Sequence, residues 1–180
     1  MGISLWLVPG TIDGVARMQG IITELSERHN SPIFAPHITL CTVPSDTPVE
    51  KLKEAATNLP AIELVRFDAV ETGETFYQSV FVAIHPSDEL RALQSTVFER
   101  LGLENVKMPN FPHLSMYYGD DAAKKKGIWD RLHADGIVQR CEAGGVTVDS
   151  TEGFPINEVW ITRCDGPVAD WQVLARVPLE

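Results

Sequence analysis

The apolar run from Ile3 to Pro9 reads as a strand, and a helical spacing follows at Val15, Met18, Ile22 and Leu25. Thr11 or Asp13 stands where an N-cap belongs, and Asn30-Ser31-Pro32 ends the helix. A strand opens after Pro36. Thr47-Pro48-Val49-Glu50 then has the form of a capping box with proline in the first turn, starting a short helix towards Leu59-Pro60. Residues 62–72 and 77–85 predict a hairpin turning at Gly73-Glu74. The second half repeats this order. Ser87 caps a helix whose stripe is Leu90, Leu93, Val97 and Leu101, with Gly102 at its left-handed end. A strand follows Pro112, then a helix over 122–134, a strand over 137–148, and closing strands over 158–164 and 171–177 that turn at Asp165-Gly166-Pro167. Strands that come singly and in hairpins between helices predict an α+β fold with antiparallel sheets. We expect residues 1–180 to form a single bilobal domain with internal duplication: two pseudo-symmetric lobes, each an antiparallel sheet with helices packed outside, and an active-site cleft between them.

The two strands that follow a proline carry one phrase twice, Pro36-His37-Ile38-Thr39 and Pro112-His113-Leu114-Ser115. Side chains alternate along a strand, so His37 and Thr39 share a face, as do His113 and Ser115. Core packing does not ask for the same proline, histidine and hydroxyl offset twice. If a pseudo-twofold axis brings the copies together, two imidazoles and two hydroxyls surround one centre, an arrangement suited to a phosphate.

Composition limits the alternatives. The net charge of −10 argues against tracking a long nucleic-acid backbone, while leaving room for a small nucleotide held by local donors. The one basic run, Lys124-Lys125-Lys126, reads as a solvated helix face. Cys41, Cys141 and Cys164 are odd in number, far apart and without metal-ligand spacing, so reduced, partly buried thiols are expected. No apolar run is long enough to span a bilayer and no basic region opens a signal peptide, so a cytoplasmic protein without a membrane partner is expected. Gly144-Gly145 lacks the context of a dinucleotide or phosphate loop. His29, His85 and His133 lack a hydroxyl partner and are expected at the surface.

His37-Ile38-Thr39 and His113-Leu114-Ser115 resemble the paired motif of the two-histidine (2H) phosphoesterase superfamily. Ser4-Leu5-Trp6-Leu7-Val8-Pro9, the segment from Gly73 to Phe81 and the run from Pro112 through Tyr118 are similar to the small plant and fungal cyclic phosphodiesterases, and the likeness covers essentially the whole chain. It implies opening of nucleoside 2',3'-cyclic phosphates to 2'-phosphates and of ADP-ribose 1'',2''-cyclic phosphate to the 1''-phosphate. It also implies that His113 activates water and His37 protonates the leaving oxygen, although the internal symmetry of the motifs leaves either order open. It places Trp6, Tyr77 and Tyr118 near the substrate; strict alternation from His113 would favour Tyr117 over Tyr118.

Two imidazoles supply the base and acid of such a reaction without a metal or other cofactor, and Thr39 and Ser115 are placed to donate to the non-bridging oxygens. The expected partner is the small cyclic phosphate alone, on a monomer. The same motif pair occurs in RNA-processing relatives, 2'-5' ligase-like proteins and a 3'-end exonuclease, and a non-catalytic nucleotide-binding module is the reading from another class.

Overall fold

The computed structural model describes residues 2–142 and 144–180. Its elements run β1 (Ile3–Pro9), α1 (Ile12–His29), β2 (Ile38–Val43), α2 (Val49–Ala56), β3 (Ile62–Thr75), β4 (Gln78–Ile84), α3 (Asp88–Leu101), β5 (His113–Tyr117), α4 (Ala122–Ala134), β6 (Val138–Arg140), β7 (Val146–Val148), β8 (Gly153–Arg163) and β9 (Gln172–Pro178), with one 3-10 turn at Val168–Asp170. The fold is α+β and its strand pairs are antiparallel.

One half of the sheet has the order β2-β1-β8-β9 and the other β5-β4-β3. They are joined in two places. β2 meets β5 at the single pair Ile38↔Leu114, and β3 meets the first residues of β8 at Val65↔Phe154 and Arg66↔Gly153. The long strand β8 carries β3 and then β9 along one edge while β1 runs along the other, so the halves share one hydrogen-bonded network. Ile3, Leu5, Leu7, Ile38, Leu114, Val82 and Ile161, each at most 1 % exposed, fill the face turned away from the cleft. Burying each such side chain stabilises the fold by about 1.5–3 kcal/mol.

The helix signals acted largely as their chemistry predicts. Thr11 accepts the Gly14 amide (3.1 Å), Ser87 that of Leu90 (3.2 Å) and Asp121 that of Lys124 (3.0 Å). α1 buries Met18, Ile22 and Leu25, but Val15, one turn before Met18 on the same stripe, is exposed in the first turn of the helix.

Four local expectations are corrected. The capping box at Thr47 does not form: α2 starts after Pro48 with no side-chain cap, and Thr47 is buried, its amide spent on the Pro44 carbonyl. The β3–β4 hairpin turns at Phe76-Tyr77, and Gly73 lies inside β3, where a Cβ would fall 2.1 Å from the Gln78 carbonyl oxygen. The region read as one strand over 137–148 is the β6–β7 hairpin, broken by Gly144 and Gly145 at φ +96° and +77°. Lys125 is not solvated: it is 4 % exposed and donates to the Gly73 carbonyl at 3.0 Å, tying α4 to β3.

Candidate active site

The pair Ile38↔Leu114 stands at the centre of the site. Because it is antiparallel, the two motifs are related by a local twofold axis, and its register sets His37 across from Ser115 and Thr39 across from His113. Ile38 and Leu114 point into the core, which leaves both histidines and both hydroxyls on the opposite face. The histidines are diagonal neighbours, a relation that separates Cα atoms by about 7–8 Å and lets two rings flank one small group. All four side chains line one cavity of about 210 Å³.

The symmetry reaches past the motifs. β2 shifts register against β1 between Trp6↔Thr39 and Leu5↔Cys41, so Leu40 is an extra residue; β5 shifts against β4 between Phe81↔Ser115 and Val80↔Tyr117, so Met116 is another. Each bulge directly follows the hydroxyl residue and inverts the alternation. Cys41 and Tyr117 therefore join the core, while Thr42 and Tyr118, three residues beyond Thr39 and Ser115, face the cavity. Tyr118 reaches the cavity because of the bulge and because β5 ends at Tyr117.

The imidazoles are held alike. His37 Nδ1 donates to the Ala35 carbonyl at 2.7 Å and His113 Nδ1 to the Phe111 carbonyl at 3.1 Å. A carbonyl only accepts, so Nδ1 carries a proton in both rings and a neutral ring presents its lone pair at Nε2.

The surroundings differ. His37 is 7 % exposed, stacked on Trp6 (3.7 Å between centroids, 12° between planes) and edge-on to Phe34. Burial lowers its pKa to about 4, against a smaller raising effect from Ala35, and nearby His113 lowers it further. His113 lies between Phe81 and Phe111 and is only partly buried; desolvation lowers its pKa too, partly offset by the Phe111 carbonyl.

The hydroxyls also differ. Ser115 donates to the Tyr77 carbonyl at 2.9 Å, whereas the Thr39 hydroxyl has no hydrogen-bond partner among the described residues. Thr39 is thus the donor free for a ligand, and Ser115 fastens the β3–β4 turn to the site.

No Lys, Arg, Asp or Glu is among the described residues lining the cavity. Among the described lining residues only the histidines can become cationic, so anion affinity is linked to their protonation. Sulfate, a dianion throughout this range, is expected to bind at least about tenfold tighter at pH 5 than at pH 8, because acid charges His113 first, His37 following only near pH 4. Titration of tryptophan fluorescence would check this; an unchanged dissociation constant would contradict it.

All seven side chains expected here, Trp6, His37, Thr39, Tyr77, His113, Ser115 and Tyr118, line this one cavity. Tyr118 is buried and stacks on Phe34 (3.8 Å), while Tyr77 is 44 % exposed at the rim. Gly2, Ser4, Thr42, Cys164 and Trp171 also line it and were not anticipated. Thr42 carries a signal in retrospect, the shared offset with Tyr118, and Ser4 alternates with Trp6 along β1. Trp171 carries none.

The remaining histidines lie away from the cavity. His85 is exposed beside Asp68, but His29 and His133 are half-buried, not fully at the surface: His29 packs edge-on to Tyr117, and His133 lies tilted against Trp129 with ring centroids 4.0 Å apart. The three cysteines are free thiols, and Cys41 is buried in the core.

Comparison with known proteins adds a family and a fold. The family model described as cyclic phosphodiesterase-like protein matches residues 1–179. A 2',3'-cyclic-nucleotide 3'-phosphodiesterase of Kluyveromyces lactis is 28 % identical over 210 residues, covering 98 % of each chain. A cyclic phosphodiesterase of Arabidopsis thaliana is 23 % identical, covering 88 % of this chain and 91 % of its own. Among solved structures, E. coli LigT complexed with 3'-AMP superimposes with a TM-score of 0.61 at 14 % identity, over 99 % of this chain and 97 % of LigT. The phosphate complex of LigT gives 0.58 at 12 % identity, over 99 % and 96 %. At such identities the structural likeness concerns the fold alone.

Proposed function

The chain belongs to the cyclic phosphodiesterase-like family, and from that premise we propose that it hydrolyses small cyclic phosphodiesters by paired-histidine acid–base catalysis. The proposed substrates are nucleoside 2',3'-cyclic phosphates, opened to 2'-phosphates, and ADP-ribose 1'',2''-cyclic phosphate, opened to the 1''-phosphate. The names of the K. lactis and Arabidopsis relatives support this class of reaction. The observation that carries the reading is the antiparallel pairing at Ile38↔Leu114, which turns two copies of one motif onto a single cavity. The matching bulges after Thr39 and Ser115 support the reading of residues 1–180 as one internally duplicated bilobal domain.

Hydrolysis of a cyclic diester places the attacking water and the leaving oxygen at opposite sides of phosphorus, so base and acid must face each other across it. The diagonal histidines, each presenting Nε2, meet that requirement. One ring must be neutral and the other protonated. Among the singly protonated states, the proton resides mainly on His113, whose burial is less complete, so we assign His113 as the acid and the neutral His37 as the base. This reverses the order implied by family resemblance. The Thr39 hydroxyl donates to a non-bridging oxygen as charge builds there.

Purified, chelator-treated protein incubated with 2',3'-cyclic AMP is expected to release adenosine 2'-phosphate. Binding without turnover would favour a nucleotide-binding module, and loss of activity on chelation would refute a metal-independent route. The value of kcat/KM is expected to trace a bell centred below pH 6.5. Its acid limb lies near 4, where falling pH protonates the base His37, and its alkaline limb falls where rising pH removes the His113 proton. A plateau from pH 6 to 9 would refute these assignments.

A further inference from the structure

Trp171 stands outside both histidine strands and outside every role assigned so far. It follows the 3-10 turn Val168–Asp170 in the β8–β9 connection, and its amide donates to the Val168 carbonyl at 3.2 Å. Val168 is buried in a small cluster with Ile22, Phe34 and Tyr118, which anchors the turn against α1. The indole that results lines the catalytic cavity. Its ring lies 5.7 Å from Trp6, 5.8 Å from Tyr77 and 6.2 Å from Tyr118, so it connects the aromatic residues of the two sheet halves into one wall.

The indole N–H is buried and has no hydrogen-bond partner among the described residues. Two of the other indoles are paired: Trp129 donates to the Val70 carbonyl at 2.7 Å and Trp160 to the Glu158 carboxylate, while Trp6 has no indole hydrogen bond among the described residues. A buried donor without an acceptor is costly, and proteins retain one chiefly where a function uses it. The Trp171 side chain belongs to a cavity wall made of aromatic rings and neutral polar groups, with no fixed charge among the described lining residues. The ligand portion matching such a wall is a flat, uncharged ring bearing hydrogen-bond acceptors.

We propose that Trp171 is a specificity-determining residue that recognises the nucleobase of the substrate, packing against its ring and donating the indole N–H to an acceptor on it. This inference rests on the cyclic phosphodiesterase reading above. The phosphate and the base are then recognised by separate parts of one cavity: the motif strands hold the reacting group, and the β8–β9 connection reads what is attached to it.

The test compares wild type, Trp171→Phe and Trp171→Ala on the four nucleoside 2',3'-cyclic phosphates and on glycerol 1,2-cyclic phosphate, which has no base. Trp171→Ala is expected to raise KM for the nucleoside substrates at least about tenfold, while kcat/KM for the glycerol diester changes less than about twofold. Trp171→Phe keeps an aromatic ring and guards against failure of the alanine variant to fold; it is expected to lose about fivefold in KM through the missing N–H and to narrow the spread among the four bases. An equal loss on the glycerol diester would show a merely structural role and overturn the proposal, as would unchanged kinetics on all substrates. Wild-type protein inactive on every cyclic diester would instead overturn the catalytic reading itself, a result read before either variant is compared.

Discussion

His37→Ala and His113→Ala are each expected to lower kcat for 2',3'-cyclic AMP by at least about a hundredfold, because each removes one partner in proton transfer. The fold should survive. His113 is partly exposed at the start of β5 and His37 stands just before β2, so neither imidazole lies within the central apolar core. Far-ultraviolet circular dichroism and the thermal midpoint would verify this, and near-wild-type turnover by either variant would refute its role.

The same pair of variants decides which ring is the acid. A p-nitrophenyl phosphodiester expels a leaving group that needs no proton, so loss of the acid matters little while loss of the base still matters. With His113 as the acid, His113→Ala should recover about tenfold or more, relative to wild type, on changing from the cyclic nucleotide to the p-nitrophenyl ester. His37→Ala should not. The converse pattern would return the acid to His37.

The hydroxyls are expected to separate as clearly. Thr39→Val preserves the shape of the side chain and removes a donor with no other partner among the described residues, so kcat should fall by about a hundredfold with little change in KM. Ser115→Ala removes a donor already engaged by the Tyr77 carbonyl. Its effect should be about tenfold or less in kcat, with a rise in KM as the Tyr77 turn loosens. Equal losses in kcat would show that Ser115 leaves Tyr77 to serve the phosphate, and would contradict the division of labour drawn here.

Much of this site is legible as local pattern. The alternation of a strand is enough to put His37 with Thr39 and His113 with Ser115, and repetition of the phrase singles them out from the other three histidines. The proline before each histidine marks a strand start, and Ser87, Asp121 and Gly102 punctuate helices through bonds within a few residues of themselves. Lys125 was misread for the opposite reason: its partner, the Gly73 carbonyl, is 52 residues away, and its neighbours Lys124 and Lys126 suggest nothing but water.

What the chain determined by itself is therefore the set of groups proposed to act on the substrate, since each motif is written in three consecutive residues. Only the tertiary structure decided how unequal those groups are. Burial beneath Trp6 separates His37 from His113, the Tyr77 carbonyl separates Ser115 from Thr39, and the bulge at Met116 chooses Tyr118 over Tyr117. Trp171 enters through a connection more than fifty residues from either motif. Each of these rests on neighbours remote in sequence, and desolvation, hydrogen-bond competition and strand register take their values only once those neighbours are packed.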